Sequence, residues 1–222
     1  MNRIRSVVKM HLKDKSMWFI TPWLVLAASF VINLFFAVMM NEVDSFHTGG
    51  LASIFIYVLI VGIITLKETF PLATGLSVRR TDYFLGTVSA AALANFISAL
   101  ILVLLSFVEG ATNGWGVHLN YFQLEFLKDA SLIQVGAIYL IILLNQYFLG
   151  LAISSLHGRF GRNGLFAFFA AIFLIGSLGT YLMTYYQQWG PLFEWLIHHY
   201  MELFWWMIPA TALPADHLCA AS

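Results

Sequence analysis

The sequence predicts an all-α integral membrane protein, a polytopic bundle of five clear spans plus a sixth, partly interfacial segment that reads as truncated. Three observations lead there. Of 222 residues, 60% are hydrophobic and only 10% are charged. An ordinary soluble domain carries roughly 25% charge, and so little charge could not cover a water-facing surface. Five stretches are long enough to cross a hydrocarbon core about 30 Å thick: Met17–Met40, Leu51–Leu66, Tyr83–Val108, Ser131–Leu156 and Gly164–Tyr186. None of them contains an Asp, Glu, Lys or Arg. The third observation is how charge is sorted along the chain.

Arg3, Arg5, Lys9, Lys13 and Lys15 precede the first span, Lys67, Arg79 and Arg80 lie between the second and third, and Arg159 and Arg162 between the fourth and fifth. That is ten of the eleven basic residues on one side, leaving Lys128 on the other. Eight of the eleven acids fall on that other side. Basic residues stay in the cytoplasm, so the expectation is a multi-pass protein of the cell membrane with a cytoplasmic N terminus.

The chain divides into a cytoplasmic interfacial helix (1–16), a transmembrane domain (17–213) and an irregular tail (214–222). In the first part Ile4, Val7, Val8 and Leu12 share a helical face and Arg5, Lys9 and Lys13 another, as in a helix lying on a membrane surface. The first span is too long for the apolar core of a signal peptide and no small-residue cleavage site follows it, so it is read as retained. Leu51–Leu66 is short, but Lys67 and Glu68 can snorkel. In the third span Gly86, Ala90, Ala94 and Ser98 recur every four residues, a ridge on which another helix can pack closely. Gly176 and Gly179 suggest the same in the fifth. Trp18, Trp23, Tyr185, Tyr186 and Trp189 mark span ends at headgroup level. The outer loop from Glu109 to Ala130, with Trp115, Tyr121, Phe122 and Phe126, is expected along the outer interface.

Several sites have two readings. Asn33, Asn95, Asn145 and Gln146 are amides inside spans, where a hydrogen-bonded contact is worth about 0.6–2 kcal/mol; Asn95, Asn145 and Gln146 either line a substrate path or hydrogen-bond a neighbouring helix. Glu194, His198 and Glu202 recur every four residues beside His199, a weak zinc pattern that an amphipathic interfacial helix would also produce. No cofactor is expected. No Gly-Lys pair occurs anywhere, so the phosphate loop Gly-x4-Gly-Lys-Ser/Thr is absent. No catalytic constellation stands out either. The chain is read as no enzyme and as no partner of nucleic acid. One cysteine, Cys219, excludes an internal disulfide.

The loop after the second span is the most specific stretch. Pro71 is expected to interrupt the second helix and Gly75 to permit a reversal. Ser77 or Thr81 would cap the third span, with Asp82 in its first turn. Phe70, Leu72, Leu76 and Val78 give the loop an apolar side, suited to being gripped by another protein.

From Phe70 to Gly86 the chain reads Phe-Pro-Leu-Ala-Thr-Gly-Leu-Ser-Val-Arg-Arg-Thr-Asp-Tyr-Phe-Leu-Gly. Here it resembles the permease subunits of bacterial ABC transporters of the type-two exporter class, particularly the small Bacillus-like permeases. The resemblance covers the whole span order, though only this loop is motif-like. It implies six helices per subunit, a second permease subunit as partner, and separate ABC ATPase subunits on the cytoplasmic face. It also implies an ATPase-coupling role for Phe70, Pro71, Gly75, Leu76, Arg79, Arg80 and Asp82, and more weakly for Ser155–Asn163. The sequence departs from the family at its end. Leu203–Leu213 gives about 16 Å of apolar helix, and no Lys or Arg follows it. The function expected is thus the membrane subunit of an ATP-driven exporter. The alternatives are a non-transporting scaffold or immunity protein, or an ion-coupled carrier, which usually needs ionisable groups within its spans.

Overall fold

The structure is a computed structural model and describes residues 3–13, 16–40, 46–124, 130–196, 198, 199, 202 and 203. The basic start of the chain forms α1 (Arg3–Lys13). A single π-helical turn, Ser16–Ile20, leads into α2 (Thr21–Met40). Then follow α3 (Ala52–Gly75), α4 (Arg80–Ala111) and α5 (Leu132–Tyr185). A further helical stretch covers 189–196. Extended pairing among the described residues is confined to Phe46–His47 beside Leu119–Asn120, two residues each and parallel. This clip ties the loop after α2 to the loop after α4.

Four helices, α2 to α5, are long and apolar enough to cross a membrane, the first counted with the π-helical turn before it. The five clear spans expected from sequence are not confirmed: the fourth and fifth stretches lie in one 54-residue element that is broken at Gly161. At 1.5 Å per residue α5 would extend about 81 Å if straight, roughly twice a bilayer with its headgroups. It is not straight. Gly161 takes φ 66° and ψ −170°, a conformation essentially reserved for glycine, and it breaks the helix there. Ser131 starts α5 with a capping box, its hydroxyl accepting from Gln134 N while the Gln134 side chain accepts from Ser131 N at 2.9 Å.

The core lies between α3, α4 and the first arm of α5. Gly62 of α3 and Gly150 of α5 set the closest approach. A Cβ on Gly150 would strike the Leu59 carbonyl oxygen and come within 2.9 Å of the Gly62 Cα. Small residues permit such contact where lipid supplies no hydrophobic drive between helices. Around them pack Leu102, Ile138, Leu143, Tyr139 and Tyr147, all buried. Gly86, Ala90, Ala94 and Ser98 are buried on α4. Gly176 and Gly179, by contrast, face open space. From 166 to 186 every side chain except Met183 is exposed, so the second arm of α5 does not join the core. A helix apolar on all sides suits lipid contact.

Candidate functional site

The loop between α3 and α4 is built differently from the expectation. Pro71 does not interrupt α3; the helix continues through it to Gly75. Proline removes one backbone donor, and the end of the helix is held by other bonds. Thr74 Oγ1 donates to the Phe70 and Pro71 carbonyls at 3.0 Å each. Ser77 N donates to Thr74 O at 3.0 Å and Val78 N to Ala73 O at 3.1 Å. The reversal is made by Ser77, at φ 57°, and not by Gly75. Arg79 occupies the N-cap of α4 with no side-chain cap bond, so neither Ser77 nor Thr81 serves as cap, while Asp82 does sit in the first turn.

This turn has two faces. On its inner face Val7, Ala73 and Tyr83 are buried together, with Met10, Leu66, Phe70 and Val78 packed around them. The Phe70 ring meets Tyr83 edge-on at 5.4 Å, and the Tyr83 hydroxyl hydrogen-bonds Thr69 Oγ1 at 2.6 Å. The outer face presents Leu72, Leu76, Arg79 and Arg80, and Leu76 is 68% exposed. The expected apolar side thus splits: Phe70 and Val78 brace the loop while Leu72 and Leu76 face outward. The weaker candidate stretch Ser155–Asn163 lies around the Gly161 break, largely exposed from His157 onward.

The bracing helix is α1, and its buried stripe is not wholly apolar. Beside Val7 it buries His11, which is 1% exposed. His11 Nε2 shares a 2.9 Å hydrogen bond with Thr87 Oγ1 of α4. Its ring lies 5.4 Å from Trp18 and 6.2 Å from Tyr83, and Nδ1 has no hydrogen-bond partner. Burial disfavours the imidazolium and pushes the pKa down to about 4. Trp18, expected at the headgroups, is instead buried 5.7 Å from the Tyr147 ring. Sequence reading assigns His11 nothing. Its one signal is the four-residue step from Val7, which puts both on one helical face.

The intramembrane amides separate. Asn33 donates to the Ser29 carbonyl of its own helix at 2.8 Å. Asn145 is buried and Gln146 half-buried on α5. Asn95 is buried on α4 with its Nδ2 unpartnered.

At the opposite end of α4, Glu109 overturns its expected place in an interfacial loop. It belongs to the helix and is 0% exposed. Its carboxylate accepts from Trp115 Nε1 at 2.9 Å, Tyr121 N at 3.0 Å, Phe122 N at 3.0 Å and Gln123 N at 2.8 Å. The loop therefore folds inward. Tyr121 and Phe122 are buried, and Phe30 of α2 meets Trp115, Tyr121 and Phe122 at 5.1, 5.2 and 5.5 Å. The Tyr139 hydroxyl donates to the Phe122 carbonyl. Asn113, Trp115 and His118 all hold positive φ here, a strain that this bonding offsets. Beneath the loop lies a cavity of about 320 Å³, lined by Ser106, Gly110, Gln123, Val135 and Tyr139 among others.

Among the described residues no three His, Cys, Asp or Glu converge as a metal site. Glu194, His198 and Glu202 assemble none, and His199 Nδ1 instead lies 3.0 Å from the Trp195 carbonyl of its own turn. Residues 204–222, with the end of the sixth segment, the expected tail and Cys219, lie outside the described residues, as does Phe126. No protein-family model matches the sequence, and no curated protein and no solved structure matches it either.

Proposed function

We propose that the chain is the membrane-spanning permease subunit of an ABC exporter, driven by separate ATPase subunits that dock on the α3–α4 loop. The observation that carries this reading is the pairing of a braced inner face with an unfilled outer one. Leu72 and Leu76 stand exposed beside Arg79 and Arg80 on a turn whose other side is packed against α1. A loop meant only to fix topology needs the arginines but not the exposed leucines or the brace. The lack of a phosphate loop assigns ATP hydrolysis to another polypeptide.

In this reading each arm of α5 crosses the membrane, since 29 residues before Gly161 and 24 after it reach about 43 and 36 Å. The chain then crosses five times before its final segment, with α1 and the docking loop in the cytoplasm. A second permease subunit completes the translocation path, and Asn95, Asn145 and Gln146 are the polar groups available to it.

The test uses two variants. Leu76→Asp leaves membrane insertion and expression intact and abolishes co-purification with the ATPase. Arg79→Lys combined with Arg80→Lys keeps the charge but loses the planar donors, and weakens ATPase binding with topology unchanged. Unaltered ATPase binding in both variants would reduce the loop to a topogenic signal that attracts anionic lipid, at about 1 kcal/mol per basic residue.

A further inference from the structure

The brace under the loop holds a deeply buried histidine. His11 is the most buried titratable side chain described in α1, at 1% exposure. Among the described residues its side-chain hydrogen bond goes to the Thr87 hydroxyl, a neutral group that compensates no charge. Its other nitrogen, Nδ1, faces no acceptor. Two aromatic rings, Trp18 from the π-helical turn and Tyr83 from α4, close the pocket. At the end where α1 seats, the described charged or titratable groups are Tyr83, Asp82 and Arg80 of α4 with Arg79 at its N-cap, Tyr147 of α5, Lys67 and Glu68 of α3, and Lys9 and Lys13 of α1, while the side chains of Arg3 and Arg5 lie outside the description. Lys9, Lys13, Lys67 and Glu68 are exposed, and of the whole set only Tyr83 has its ring against the imidazole. Asp14 and Lys15 lie outside the described residues.

We infer that α1 is a proton-sensitive latch: it seats on α4 only while His11 is neutral, and protonation of the imidazole releases it from the inner face of the α3–α4 loop. Among the described residues no carboxylate is bonded to the imidazole, and a buried imidazolium without a counterion is far costlier than a buried neutral ring. Leaving the pocket restores its hydration. What α1 covers is the underside of the turn, Phe70, Ala73, Val78 and Tyr83. Release therefore removes the support of Leu76, Arg79 and Arg80, whatever partner those residues meet.

The direction of the pH effect follows from linkage. Seated, His11 takes a proton only near pH 4; free, it does so near 6.5. Above pH 6.5 both states are neutral and seating is fully favoured. As pH falls from 6.5 toward 4 the released state binds the proton and the seated state does not, so seating weakens by up to tenfold per pH unit. The loss is about tenfold between pH 7.5 and 5.5 and levels off below pH 4.

Spin labels at Lys9→Cys and Gly75→Cys, in the full chain with Cys219→Ser and reconstituted in vesicles, read the latch as a distance. Both sites are exposed. The expected result is one narrow short distance at pH 7.5 and a second, longer population whose ratio to the first rises about tenfold by pH 5.5. His11→Gln, which keeps a hydrogen-bonding group, and His11→Phe, which keeps the ring, show no pH-dependent opening. A wild-type distance that is not single at pH 7.5, one that does not change down to pH 4.5, or the same pH profile in either variant would overturn the proposal.

Discussion

Glu109 shows how one side chain can organise a loop that local propensity would leave loose. Its carboxylate is a buried anion with four N–H donors around it, three of them consecutive backbone amides. Charge-assisted bonds of this kind are about twice as strong as neutral ones. They hold 113–123 in a path that includes left-handed Asn113, Trp115 and His118. Glu109→Gln replaces one acceptor oxygen with an NH2 that faces donors, leaving at least one buried amide unsatisfied. The expected cost is about 1–3 kcal/mol, read as a lower melting temperature of the detergent-solubilised protein, with insertion unchanged. An unchanged melting temperature would mean that the cage does not form. Pattern does not pick out Glu109, and for His11 it offers only the four-residue step from Val7. A carboxylate at the end of an apolar run looks like a solvated flank, and what distinguishes it is the return of residues 121–123, a contact that spacing does not encode.

Helix identities follow directly from apolar run length, and α4 illustrates why. The apolar run is Tyr83–Val108 and the helix found is Arg80–Ala111, because an uninterrupted apolar run long enough to cross a bilayer has no stable form other than helix there. Helix ends are less legible. Pro71 and Gly75 look like breakers in sequence, yet the next turn's hydrogen bonds carry α3 to Gly75 and the reversal falls on Ser77. Packing partners are legible in part. The ridge from Gly86 to Ser98 stands out by repetition, whereas Gly62 and Gly150 are single glycines on different helices and become a pair only when α3 meets α5. Their substitution is the sharper test of the packing. Gly150→Leu would drive its side chain into the α3 backbone at Leu59 and Gly62, costing about 1–3 kcal/mol or more by overpacking. Gly176→Leu, facing open space, should leave thermal stability of the solubilised protein unchanged. Equal losses in both would argue against the α3–α5 contact.

At the scale of the whole molecule, the 10% charge agrees with four helices long and apolar enough to cross a membrane. The number of crossings is harder to read because the fourth and fifth apolar runs abut. Between them Gly158, Arg159, Gly161 and Arg162 look like a loop in sequence but are helical on either side of one broken residue. The packing of α1 on the ends of α3 and α4 puts α1 and the α3–α4 loop at one end of the molecule. Asn113 lies past the far end of α4, about 48 Å away along the 32-residue helix. With Cys219 replaced, Ser77→Cys should be protected from an impermeant thiol reagent added outside cells, and Asn113→Cys should be labelled. The reverse pattern would invert the orientation.

The central claim is that the exposed face of the α3–α4 loop receives an ATPase, and its most direct test is to ask what touches Leu76 in the native membrane. A photoreactive amino acid placed at Leu76, which is 68% exposed, should form an adduct on illumination with a polypeptide carrying the Gly-x4-Gly-Lys-Ser/Thr loop and hydrolysing ATP. The same probe at Ala73, which α1 covers, should not. Adducts with phospholipid alone, or with proteins that bind no nucleotide, would contradict the account.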